Sequence, residues 1–152
     1  MTGVQTCALP IYHVEAAETG HLVFSSLNTM DAPKTVERLI SSFSPAEQQS
    51  VRERFAKSFR YIICQRLIGK ADRSGRVPAF EILKHNPRTR ECIEKGEREN
   101  KTLLDAMKAG ASEGMQHFDG EIAQLVRDRV VDLETGLSFA SNPAVLGQEL
   151  AR

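Results

Sequence analysis

The chain has 152 residues, 20 Lys and Arg against 20 Asp and Glu, 41% hydrophobic residues and no Trp. That length suits one domain with a real core, because a chain of this size buries about two-thirds of its unfolded surface. A charged fraction of 26% argues against intrinsic disorder, and zero net charge argues against a generic nucleic-acid binder. No apolar run approaches the roughly 20 residues of a membrane helix, and no basic stretch leads into an apolar one as in a secretory signal.

Residues 1–11, MTGVQTCALPI, carry no charge and no hydrophobic period, and are expected to be disordered. All eleven resemble one reading frame of a sequencing-library adapter, with a GTG start recorded as Met. The resemblance implies an artefactual segment, with the natural sequence starting near Tyr12 and inside a longer protein. Setting Cys7 aside leaves Cys64 and Cys92. Their spacing makes no metal motif and no disulfide framework, and suits two buried thiols in a reducing compartment.

HLVFSSL (21–27) follows Gly20 and reads as a buried strand of a parallel sheet. Asp31 is placed to cap a helix with Pro33 in its first turn, and Ala32, Val36, Leu39, Ile40 and Phe43 form its apolar stripe. Ser44-Pro45-Ala46-Glu47 is a capping box for a second helix, continued on one face by Val51, Phe55 and Phe59. Tyr61–Ile68 and Arg76–Leu83 flank a Gly-bounded polar turn, which predicts a hairpin with Pro78 on an edge or at a bulge. Beyond Pro87 the pattern is helical. Arg88 to Lys95 stops at Gly96, and Lys101 to Ala109 stops at Gly110. Met115, Phe118, Ile122, Leu125 and Val126 mark an amphipathic helix. Leu133 to Ala140 and Ala144 to Leu150 complete the chain around Ser141-Asn142-Pro143.

Charge is unevenly spread. Residues 52–76 carry eight basic and two acidic side chains, and residues 77–152 carry ten and thirteen. A solvated helix face with a charged turn explains this, as does complementarity between subunits of an oligomer. Nucleic-acid binding fits less well, because the basic stretch carries no recognised nucleic-acid-binding motif. Catalytic motifs are missing. Gly69-Lys70 is the sole Gly-Lys pair and Ala71 follows it, so no phosphate-cradling P-loop is present. His13, His21, His85 and His117 lie far apart, and no metal site is expected. His21 opens the expected strand, where a histidine bonded to a neighbour is the ordinary reading.

The run AAETGHLVFSSLNTMDAPKTVERLI (16–40) resembles the His box and following helix of the type IV pilus retraction ATPases, the PilT/PilU family of secretion-superfamily motors. SGRVPAFEILK (74–84), GMQHFDGEI (114–122) and LETGLSFASNP (133–143) resemble further family segments, in family order. The resemblance implies an α/β fold: the C-terminal part of a RecA-like P-loop NTPase domain, then a helical C-terminal subdomain. Residues 12–84 would be the partial core, with strand, helices and hairpin, and residues 85–152 the helical subdomain. It further implies a homo-hexameric ring motor using ATP and Mg2+, acting on an inner-membrane platform protein at the cytoplasmic base of the pilus, with no nucleic-acid partner and no membrane insertion.

By the same resemblance His21 is the first His-box residue, coupled to the γ-phosphate region, and Asn28 stands at the second box position. Asn donates a hydrogen bond but carries no charge. Arg88-Thr-Arg-Glu-Cys-Ile-Glu-Lys95 replaces the family's retraction motif, with only Arg90 and Ile93 matching. That leaves an accessory, PilU-like paralogue open beside the retraction motor. A stand-alone helical interaction module is a third reading. The isolated chain is expected to hydrolyse no ATP and to bind no nucleotide tightly.

Overall fold

A computed structural model describes residues 10–151. Helix α1 spans Pro10–Glu18, α2 Ala32–Ser41 and α3 Pro45–Ser58; strands β1 (Tyr61–Gly69) and β2 (Arg76–Lys84) follow; then come α4 (Pro87–Lys95), α5 (Leu103–Ala109), α6 (Phe118–Arg127), α7 (Leu133–Phe139) and α8 (Pro143–Leu150). Local chemistry sets most of these boundaries. The Asp31 carboxylate accepts the Lys34 N–H at 2.8 Å and starts α2. The Ser44 N–H donates to Glu47 at 3.3 Å in the expected capping box of α3. Asn86, Thr102, Asp132 and Asn142 cap α4, α5, α7 and α8 in the same way. Gly96, at φ 75°, ends α4 in a conformation that a side chain disfavours.

The two strands pair antiparallel without a bulge, from Tyr61 opposite Lys84 to Gly69 opposite Arg76. Ile82 turns its N–H and C=O away from β1 and exchanges them with Gln116, at 2.9 and 3.0 Å. Alternation along the ladder then turns the Pro78 nitrogen away from β1 too, so its missing N–H removes no β1 bond. The inner face of the hairpin (Ile62, Cys64, Ile68, Ala79 and Leu83) is buried. It joins Val36, Leu39 and Ile40 of α2, Leu103 and Met107 of α5, and Phe118 and Ile122 of α6 in one core.

Three expectations need correction, and one helix was not expected. Residues 21–27 form no strand, and Leu22 and Phe24 are 83% and 87% exposed. A strand needs a neighbour for its backbone N–H and C=O groups, and no strand among the described residues lies beside this one. Helix α1 is an addition; Pro10 suits a helix start, and Val14 is the side chain it buries. The proposed artefact boundary at residue 11 falls within α1, and residues 1–9 lie outside the described ones. The amphipathic helix begins at Phe118, not Met115, because Met115 and Gln116 run extended beside β2. Finally, Cys64 is buried as expected but Cys92 is only half-buried.

Candidate functional site

The segment 19–31 holds the first two candidate residues. It is pinned at both ends, and between them Ser25 Oγ lies 3.4 Å from His13 Nδ1 of α1. At its start, the Arg54 guanidinium of α3 grips Glu18 through two nitrogens, at 2.9 and 2.7 Å. That bond holds the Glu18 carboxyl below its ordinary value. The Thr19 hydroxyl lies 2.9 Å from the Ala16 carbonyl oxygen and 3.0 Å from His21 Nδ1. At its exit, the Thr29 and Thr35 hydroxyls are 2.6 Å apart, and Arg66 Nη2 donates to the Met30 carbonyl at 3.4 Å. Between these anchors His21, Leu22, Phe24 and Asn28 are all exposed. His21 and Asn28 thus lie on an exposed segment, with His21 Nδ1 against Thr19 and its Nε2 without a partner among the described residues.

A buried acid holds the exit in place. Glu81 of β2 is 4% exposed, and its Oε1 accepts the Ala32 N–H at 2.7 Å. The bond falls at the first residue of α2, where the helix dipole favours negative charge. Burial pushes the Glu81 carboxyl up and Asp31 adds to the rise, while the Ala32 N–H bond and Arg66 oppose it.

Arg90 and Ile93 sit elsewhere, on α4. Ile93 is buried at 1% exposure and is a core residue. Arg90 is exposed and donates to Glu94 at 2.8 Å, an ordinary i,i+4 pair. No hydrogen bond among the described residues joins this pair to His21 or Asn28. A cavity of about 420 Å3 opens between α4 and α5, lined by Arg88, Glu91, Cys92, Lys95, Arg98 and Lys101 among others. Lys95 and Lys101 both approach Glu91, so part of its charge is already compensated. Burial pushes both the Cys64 and Cys92 thiols up, away from the reactive thiolate. No cluster of His, Cys, Asp or Glu among the described residues is arranged to hold a metal ion. Burial also lowers His117, at the start of α6, which favours its neutral form.

The sequence reading missed Arg66 and Glu81. Their only local signal is a charged residue on the inner face of each strand, where the period of two otherwise places apolar groups.

Residues 9–119 match the family model described as type II/IV secretion system protein. The chain belongs to that family. Among curated relatives, the twitching motility protein of Neisseria gonorrhoeae is 39% identical over 129 residues, which is 84% of this chain and 33% of that protein. The type IV pilus retractation ATPase PilT of Pseudomonas aeruginosa is 38% identical over 130 residues, 84% of this chain and 36% of its own length. In three dimensions the chain superposes on the crystal structure of the pilus retraction motor PilT with bound ADP. The TM-score is 0.76 at 30% identity, over 91% of this chain and 38% of the motor. The fold is therefore that of part of a secretion-family ATPase, as the resemblance implied. The chain spans about a third of the length of these curated relatives. No helix among the described residues is long and apolar enough to cross a membrane.

Proposed function

We propose that this chain is the C-terminal part of an ATP-driven motor that retracts type IV pili and so powers twitching motility. The observation that carries the reading is the superposition on the ADP-bound retraction motor across 91% of the chain. The identity to the twitching motility protein and to the retractation ATPase, at 39% and 38%, supports it. In this reading the whole motor is a homo-hexamer with a RecA-like core. It works at the cytoplasmic base of the pilus against an inner-membrane platform protein.

ATP and Mg2+ serve the whole motor. In this reading the nucleotide cradle lies in the rest of the motor, since Gly69-Lys70-Ala71 lacks the P-loop spacing. The contribution of this chain is positional. His21, exposed on a segment anchored by Arg54 and Glu81, would couple through its Nε2 to the γ-phosphate region of nucleotide held by the rest of the motor. Asn28 would donate an uncharged hydrogen bond there.

Deleting the gene that carries this segment tests the reading. A retraction motor predicts lost twitching with pili retained on the surface, and intact twitching would contradict it. The departure of Arg88–Lys95 from the retraction motif favours a second reading, an accessory paralogue. That version predicts reduced but persistent twitching. Purified alone, the chain should release no phosphate from ATP, and sustained hydrolysis would overturn the assigned division of labour.

A further inference from the structure

The geometry points to Arg66 as a positioning residue that couples the exit of the His21 segment to the junction between α7 and α8. Arg66 leaves β1 on its inner face, and its planar guanidinium reaches three parts of the chain. Nη2 donates to the Met30 carbonyl at 3.4 Å. Nη1 donates to the Phe139 carbonyl at 2.7 Å and lies 3.5 Å from Ser141 Oγ. The guanidinium carbon sits 3.9 Å from the centre of the Phe118 ring, in cation–π contact at the start of α6. These partners are separated from Arg66 by 36 to 75 positions in sequence, so the contact belongs to the tertiary fold.

The far side of the joint is fixed by Asp119. Its two carboxylate oxygens accept the Ser141 and Asn142 N–H groups, at 2.6 and 2.9 Å. The near side is fixed by Glu81, which holds the Ala32 N–H two positions after Met30. Phe118, whose ring carries Arg66, is the chain neighbour of Asp119 at the start of α6. A shift of the α7–α8 junction therefore moves the Phe139 carbonyl against the same guanidinium that holds Met30. A planar fork transmits such a shift better than a flexible ammonium, because its donors are rigidly spaced. The coupling is a property of this chain. Its use in setting His21 against nucleotide rests on the motor reading.

Amide hydrogen exchange on the 152-residue chain tests the joint, with Ser141 and Asn142 reporting the far side and Ala32 the near side. Asp119→Ala should speed exchange at Ser141 and Asn142 directly, and at Ala32 about threefold to tenfold. In an Arg66→Gln background, Asp119→Ala should no longer alter Ala32, and Arg66→Lys should behave like Arg66→Gln. Should Arg66→Gln fail to fold, Arg66→Lys supplies the background, with the same outcomes expected. An Ala32 amide indifferent to Asp119→Ala would overturn the proposal. So would an equal response with and without Arg66, which is simple additivity. These readouts need no nucleotide, so coupling in a gene that proves not to encode a motor would uphold the joint while the motor reading failed.

Discussion

Glu81→Ala removes the acceptor that holds the start of α2. The Ala32 N–H, bonded at 2.7 Å in a buried setting, would lose its partner, and a buried unpaired donor costs about 1–3 kcal/mol. The missing side-chain atoms also leave a small void. One effect opposes these: burial already disfavours the Glu81 charge, and the substitution relieves that strain. The net expectation is about 2–4 kcal/mol of lost stability. Glu81→Gln keeps an oxygen for Ala32 and should lose about 1 kcal/mol. Urea unfolding followed by circular dichroism at neutral pH measures both, and Ala32 exchange locates the effect. A Glu81→Ala variant within about 0.5 kcal/mol of the wild type would refute this role of Glu81 as acceptor. Equal losses in the Ala and Gln variants would refute the role of the oxygen acceptor.

Two further outcomes follow from the same geometry. The folded chain raises the Glu81 carboxyl, so its protonated form is the one folding favours. The stability it contributes is complete below the ordinary carboxylate range and falls as pH rises through the raised value. The wild type should therefore lose stability relative to Glu81→Gln between that range and neutrality, and parallel pH profiles would contradict this. Gly114 adopts φ 80° after the short helical turn 111–113, and a Cβ there would stand 2.9 Å from Lys84 Nζ. Gly114→Ala should cost about 1–2 kcal/mol, read as a shifted urea midpoint, and an unshifted midpoint would show that the left-handed turn carries no strain.

Elements closed by local chemistry were legible in the sequence. Asp31 and Ser44 name their own helix starts, and Gly69 with Gly75 brackets the hairpin turn. Elements that depend on distant partners were not. HLVFSSL has the composition of a buried strand, yet it is exposed because no described strand pairs with it. Met115 fits a helical period but is drawn into the extended run whose next residue, Gln116, pairs with Ile82 of β2. His21 and Asn28 are candidates only through family resemblance, since neither has a local catalytic motif. Arg66 and Glu81 were invisible for the opposite reason: each is one charged residue in a strand, and its partners lie dozens of positions away.

Sequencing the genomic locus across codons 1–15 and upstream tests the central claim most directly. If the chain is part of a pilus retraction motor, the reading frame continues upstream through Tyr12 into a P-loop and acidic metal-binding motifs, and MTGVQTCALPI is not encoded there. A locus that encodes MTGVQTCALPI directly behind a stop codon and a ribosome-binding site would contradict it.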